Sequence, residues 1–251
     1  MKTTVIVPTY NEVENITPLV EALFALPLIL HILIVDDNSP DGTGAVADEL
    51  ANKRPARMSV IHRAGKLGLG TAYVAGFRQA MDHDSDLVVT MDADFSHPPT
   101  AIPAMVARID RGFDLVIGSR YVPGGRTVGW PGYRKFLSRG ANTFARLLLG
   151  LRAHDATAGF RCYRREVLES VPLATIRSNG YSFLIELLYA VQQEGWRVGE
   201  VPITFANRCR GTSKISQVEI SRAFFTVLRL FGERLLQSRR GQKSGSNKAG
   251  T

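Results

Sequence analysis

Between residues 3 and 121 the chain alternates short runs rich in Val and Ile with longer amphipathic segments, and this alternation constrains the fold more than any single residue does. "TTVIVPTY", "HILIVDD", "MSVIHR", "DLVVTMDAD" and "DLVIGSRY" read as strands. Between them, "NITPLVEALFAL" (with Asn15 near its cap), "GTGAVADELANK", "GTAYVAGFRQAMDH" and "PTAIPAMVARIDRG" read as helices. Strands that are apolar on both sides need cover on both sides, which helical crossovers supply. The expectation is an α/β fold in a single domain, with a mainly parallel sheet flanked by helices.

In such sheets a ligand sits beyond the carboxyl ends of the strands. The polar clusters fall there: "PTYNE" after the first strand, "DDNSPDG" after the second, "DADFSH" after the fourth and "GSRY" after the fifth. In "MDADFSHPP", Asp92 and Asp94 stand two positions apart, a spacing that puts both on one face of an extended strand. Side-by-side carboxylates repel unless a cation or a proton lies between them. Three readings follow: ligands of a hard divalent cation, an acid/base dyad as in glycoside hydrolysis, or a solvated strand end. Arg120, Arg134, Arg139, Arg208 and Lys214 supply positive charge suited to a diphosphate bridged to a metal, which favours the first.

Other chemistries lack their patterns. "HRAGKLGLGTA" does not supply a P-loop, and a dinucleotide fingerprint needs a small residue where Tyr73 follows Gly68 and Gly70. "VIGSR" lacks the second glycine of a nucleophile elbow. The five histidines show no metal spacing, and only His97 draws interest because it follows the acidic pair. Cys162 and Cys209 fit no metal pattern and read as free thiols of a reducing compartment. No stretch of about 18 apolar residues is present, and "MKTTVIVPTYNE" resembles no signal peptide, so a cytosolic protein is expected.

The second half reads differently. "GWPGYRKFLSRGANTFARLLLGL" is a polar loop running into an amphipathic helix, and "VGEVPITFAN" is a strand. "QVEISRAFFTVLRLFGERLL" crowds Phe and Leu onto a helix that also carries Arg222, Arg229 and Arg234. From Gln237 onward Arg239, Arg240, Lys243 and Lys248 stand without an acid, half of the net charge of +8. The expected organisation is a catalytic region over 1–215, an amphipathic, membrane-interfacial helix over 216–237, and a basic disordered tail over 238–251. Basic charge also suits nucleic acid, but no nucleic-acid motif is present and none is expected as a partner.

"VIVPTYNEVENI", "VDDNSPDGT", "GLGTA", "MDADFSHPP", "GSRY", "ATAGFRCY", "GYSFLIEL" and "VPITF" followed by the Arg208 to Lys214 loop together resemble a family 2 glycosyltransferase. The likeness runs over residues 3–215, and its detail is similar to the polyprenyl-phosphate (dolichyl-phosphate) mannose synthase group. The resemblance implies a GT-A-like fold and a metal-dependent, inverting transfer of mannose from GDP-mannose to a polyprenyl monophosphate. UDP-glucose as donor and a non-catalytic nucleotide-binding scaffold are the alternatives.

By the same resemblance, Pro8, Tyr10, Glu12 and Asp37 hold the nucleotide. Asp92 and Asp94 bind Mg2+ or Mn2+, and Ala93 between them lines the donor. Arg120, Arg208 and Lys214 meet the diphosphate or the acceptor phosphate, and Arg134 and Arg139 meet the acceptor phosphate. Asp94 and Arg120 are the residues implied in catalysis. Ser96 stands where relatives carry Gln, while Asp155 and Glu186 match acids without an assigned role. A lipid phosphate is already anionic near neutral pH and needs no strong base to attack. The chain is then expected on the cytoplasmic face of a membrane, held at its surface or by a separate membrane-anchoring protein.

Overall fold

The computed structural model describes residues 1–207 and 217–246. Six strands and three helices form the part that presents the site: β1 (Thr3–Thr9), β2 (Leu30–Asp36), β3 (Met58–His62), β4 (Leu87–Thr90), β5 (Leu115–Ser119) and β6 (Arg126–Val128), with α1 (Val13–Phe24), α2 (Thr43–Asn52) and α3 (Leu69–Asp82) between the first four. Helix α4 (Ile102–Asp110) precedes β5. Then follow α5 (Gly132–Leu149), β7 (Arg161–Arg164), α6 (Arg165–Ser170), α7 (Tyr181–Gln193), β8 (Val198–Pro202), β9 (Thr204–Ala206) and α8 (Gln217–Ser246).

The main sheet runs β3-β2-β1-β4-β7-β5-β8. All its ladders are parallel except those of β7, which runs antiparallel to both β4 and β5. The expected GT-A-like, mainly parallel sheet is therefore present with one reversed strand. That reversal has a use: the chain enters β7 from the carboxyl ends of its neighbours, so residues 155–160 arrive at the same edge as the polar clusters.

Side chains alternate across the sheet with the strand period of two. Ile6, Leu33, Val88 and Tyr163 face the layer of α3 and α7, while Val5, Ile32, Val89 and Cys162 face α1, α2 and α4. Helix α3 lies very close to β1, because a Cβ on Gly76 would stand 2.6 Å from Ile6 Cγ2. Burial pushes the Cys162 thiol up to about 12, which suits an inert core residue.

One expectation changes here. The strand expected over "VGEVPITFAN" divides: β8 stays in the main sheet, while β9 pairs with β6 in a two-stranded parallel sheet. Helix α8 spans Gln217–Ser246. Residues 247–251 lie outside the described residues. Helix α8 is fixed to the body by a Phe144–Phe224 stack at 5.1 Å, by buried Val227 and Leu230, and by Arg229, whose guanidinium lies 2.8 Å from the Glu186 carboxylate.

Candidate active site

The site is assembled along the carboxyl edge of the sheet. At the β1–β2 corner, Asp36 accepts from Thr9 Oγ1 at 2.9 Å and from the Ser39 amide and hydroxyl at 3.0 and 2.6 Å. It braces the loop and leaves Asp37 to face the site. Asp37 accepts from Arg63 Nη1 at 2.6 Å, with both side chains nearly buried. Burial raises the Asp37 carboxyl above its ordinary range, and the Arg63 guanidinium works against that rise. Arg63 also donates to Thr71 Oγ1, tying the end of β3 to the first turn of α3. It is absent from the residues expected from sequence, although it directly follows the third strand, as the other clusters follow theirs.

Tyr10 lies under Lys66, whose Nζ is 4.5 Å from the ring centre, so an aromatic face and a cation meet beside Asp37's loop. Glu12 precedes α1: its amide donates to Thr43 Oγ1 at 2.9 Å, and its carboxylate accepts from the Asn15 side-chain amide at 2.8 Å. Asp41 accepts from the Thr43 amide and hydroxyl and from the Val13 amide. Partial burial opposes its ionised form, but these bonds outweigh that and hold its carboxyl below the ordinary range. Asp41 thus joins two loops. Pro8 belongs to β1, opposite Val35 of β2.

The acidic pair sits on a turn, not on a strand. Strand β4 ends at Thr90, and Met91 still donates to Ile6 O at 3.1 Å. The next amide, Asp92 N, donates instead to His97 Nδ1 at 3.0 Å, so a side chain takes over from the sheet. Asp94 Oδ1 then accepts from the Ser96 amide at 3.0 Å and the Ser96 hydroxyl at 2.6 Å. Phe95 takes a φ of 60°, the left-handed region, to close the turn. Ser96 therefore orients Asp94. Asp94 is almost fully buried, Ala93 packs into the core, and the Asp92 side chain is one-third exposed.

His97 is buried, stacked on Phe160 with ring centres 5.1 Å apart. Burial lowers its pKa although Asp92 and Asp94 pull the other way, and an imidazole that accepts at Nδ1 carries its proton on Nε2. Among the described residues no three acidic, His or Cys side chains converge on a point for a metal. Two carboxylates at a strand tip still suit a hard cation that completes its shell with substrate phosphates and water.

Beyond β5, Arg120 is fully engaged with Asp155. Its amide and Nε donate to Asp155 Oδ2 at 2.9 and 2.7 Å, and its Nη2 donates to Asp155 Oδ1 at 2.5 Å and to Thr157 Oγ1 at 2.8 Å. Burial disfavours the cation, yet Asp155 beside it raises its pKa above the ordinary value. Asp155 is the counter-ion that keeps Arg120 charged and in place. Arg134 stacks over Trp130 at 4.1 Å and donates to Asn207 at 3.4 Å. Arg139 is exposed, 5.8 Å from the Tyr121 ring centre. Arg208 and Lys214 lie outside the described residues. Glu186 accepts from Ser178 N at 3.1 Å and pairs with Arg229, which joins α7 to α8.

A GT-A-like α/β frame carrying a carboxylate pair at its edge defines a class, and the chain belongs to glycosyl transferase family 2, whose model matches residues 4–171. Over 226 residues it is 50% identical to the polyprenol monophosphomannose synthase of Mycolicibacterium smegmatis, covering 90% of this chain and 85% of the relative. It is 43% identical over 229 residues to the undecaprenyl-phosphate mannosyltransferase of Micrococcus luteus, covering 91% and 93%. In structure it is similar to the glucosyl-3-phosphoglycerate synthase of Mycobacterium tuberculosis, solved in complex with Mn2+, UDP-glucose and phosphoglyceric acid. That likeness has a TM-score of 0.64 at 21% identity, covers 92% of this chain and 80% of the other, and bears on the fold.

Proposed function

We propose that this chain transfers mannose from GDP-mannose to a polyprenyl monophosphate with inversion at the sugar, assisted by Mg2+ or Mn2+. One observation carries the reading: sheet order places the Asp37–Arg63 corner, the Asp92–Asp94 turn and the Arg120 region along a single edge. Nucleotide, diphosphate and acceptor phosphate need that order. The named relatives, which are mannose synthases and mannosyltransferases of polyprenyl phosphates, support the choice of sugar and acceptor.

Tyr10 and Lys66 offer a stacking surface and a charge for the nucleoside, with Pro8 on the same strand end and Glu12 and Asp37 as acceptors. Asp92 and Asp94 would hold the cation, which when bound offsets negative charge on the departing diphosphate. Arg208 and Lys214 would meet that diphosphate, and Arg134 and Arg139 the acceptor phosphate. Arg120, with its charge matched by Asp155, serves as a fixed hydrogen-bond donor more than as free positive charge. The acceptor oxygen arrives ionised, so these residues position the reactants and stabilise charge, and no protein base is required.

Among the described residues no helix is long and apolar enough to cross a membrane. Instead α5 exposes Tyr133, Phe136 and Leu137, and α8 exposes Phe224, Phe225 and Leu236. With Lys135, Arg139 and Arg222 beside them, these side chains suit an anionic lipid surface, here the cytoplasmic one, where a lipid-borne phosphate is presented.

The test uses phosphatidylglycerol vesicles carrying polyprenyl phosphate, incubated with the full chain, Mn2+, and labelled GDP-mannose or UDP-glucose. The expected result is protein that floats with the vesicles and lipid-phase label from GDP-mannose alone. Label from UDP-glucose alone overturns the donor, label from neither overturns the reaction, and transfer without flotation overturns the membrane surface.

A further inference from the structure

Tyr73, on α3, is completely buried, yet among the described residues its phenol oxygen has no hydrogen-bond partner. A buried hydroxyl left in that state costs about 1–3 kcal/mol, and native cores retain few of them. Packing does not explain it. The ring stacks loosely on Phe77 and Phe183, with centres 6.1 and 6.3 Å apart, contacts that phenylalanine would make equally well.

The hydroxyl points toward Gly159. A Cβ built there would stand 3.2 Å from the phenol oxygen, 3.8 Å from Asp92 Oδ1 and 3.8 Å from His97 Cε1. The phenol and the carboxylate therefore open onto one small space that glycine keeps clear. The walls of that space are fixed: Thr90 Oγ1 donates to Gly159 O at 2.7 Å, His97 Nδ1 accepts the Asp92 amide at 3.0 Å, and the His97 ring is stacked on Phe160. At this space the Asp92 carboxylate is one-third exposed, with Oδ2 3.9 Å from His97 Nδ1.

We propose that Tyr73 is a positioning residue for Asp92, its hydroxyl donating to the Asp92 carboxylate when that carboxylate holds a divalent cation. The inference rests on the reading of Asp92 as a metal ligand. A carboxylate that gives one oxygen to a cation keeps lone pairs on the other, and an outer donor that takes them fixes its direction. The unsatisfied phenol is then a donor held in reserve, and Gly159 is the residue that keeps its path open.

The experiment compares Mn2+ binding, by electron paramagnetic resonance with saturating GDP, in the wild-type full chain, Tyr73→Phe and Asp92→Asn. Tyr73→Phe is expected to unfold at the wild-type temperature or above without metal, yet to bind Mn2+ roughly tenfold more weakly. In the transfer assay its apparent KM for Mn2+ rises by a similar factor, while kcat at saturating Mn2+ holds. Wild-type Mn2+ affinity in Tyr73→Phe overturns the inference and leaves the metal site standing. Weaker binding together with a lower unfolding temperature also overturns it, because general loosening then accounts for both. Wild-type affinity in Asp92→Asn overturns the ligand assignment and the inference with it.

Discussion

Replacing Asp94 with asparagine is expected to lower kcat for sugar transfer by about three orders of magnitude, as the loss of a group that stabilises charge in the transition state commonly does. It should leave the fold nearly unchanged. The asparagine carbonyl can still accept from the Ser96 amide and hydroxyl, the two bonds that set the turn. The substitution removes the charge and turns one oxygen acceptor into an NH2 donor, in a group that is almost fully buried at the tip of β4. Initial rates measured beside thermal unfolding separate the two effects. A rate within tenfold of wild type would remove Asp94 from the reaction.

Asp155→Ala is expected to act in the opposite way, on stability first. Asp155 is fully buried and accepts from the amide, Nε and Nη2 of Arg120, itself nearly buried. Removing one partner of such a pair strands the other charge, at a cost of about 3–5 kcal/mol. For a chain of this size that corresponds to a fall in Tm of roughly 10 °C. Adding Arg120→Met removes the stranded cation, so the double variant should regain most of the stability while transfer stays low. Urea denaturation of the three proteins checks the ledger. A single variant within about 1 kcal/mol of wild type would mean that Arg120 finds another partner or reaches solvent.

The parallel part of the fold was legible because each strand is apolar on both faces and is followed by a helix with its own period. Strand β7 was not. Arg161–Arg164 has charged ends and only four residues, and its identity as a strand comes from the neighbours on either side. Strands β6 and β9 are three residues each and exist through their mutual pairing. The carboxyl-edge rule located the Asp37 corner and the Asp92–Asp94 turn, and applied to the third strand it would also have found Arg63.

Hydrogen bonding at the tip of β4 was hidden, because a turn closed by Ser96 and a strand continued to Asp94 look alike as "DADFS". The Arg120–Asp155 pair joins residues on separate segments that only β7's reversal brings together. That is tertiary information, and no local pattern carries it.

The proposed reaction is a single displacement in which the lipid's own phosphate oxygen attacks the sugar. The most direct measurement is the anomeric configuration, by NMR, of the mannosyl lipid made from GDP-mannose, whose glycosidic phosphate is α. A single displacement gives a β-linked mannosyl phosphate. An α-linked product would contradict a single displacement, because retention requires a second displacement or a front-face path.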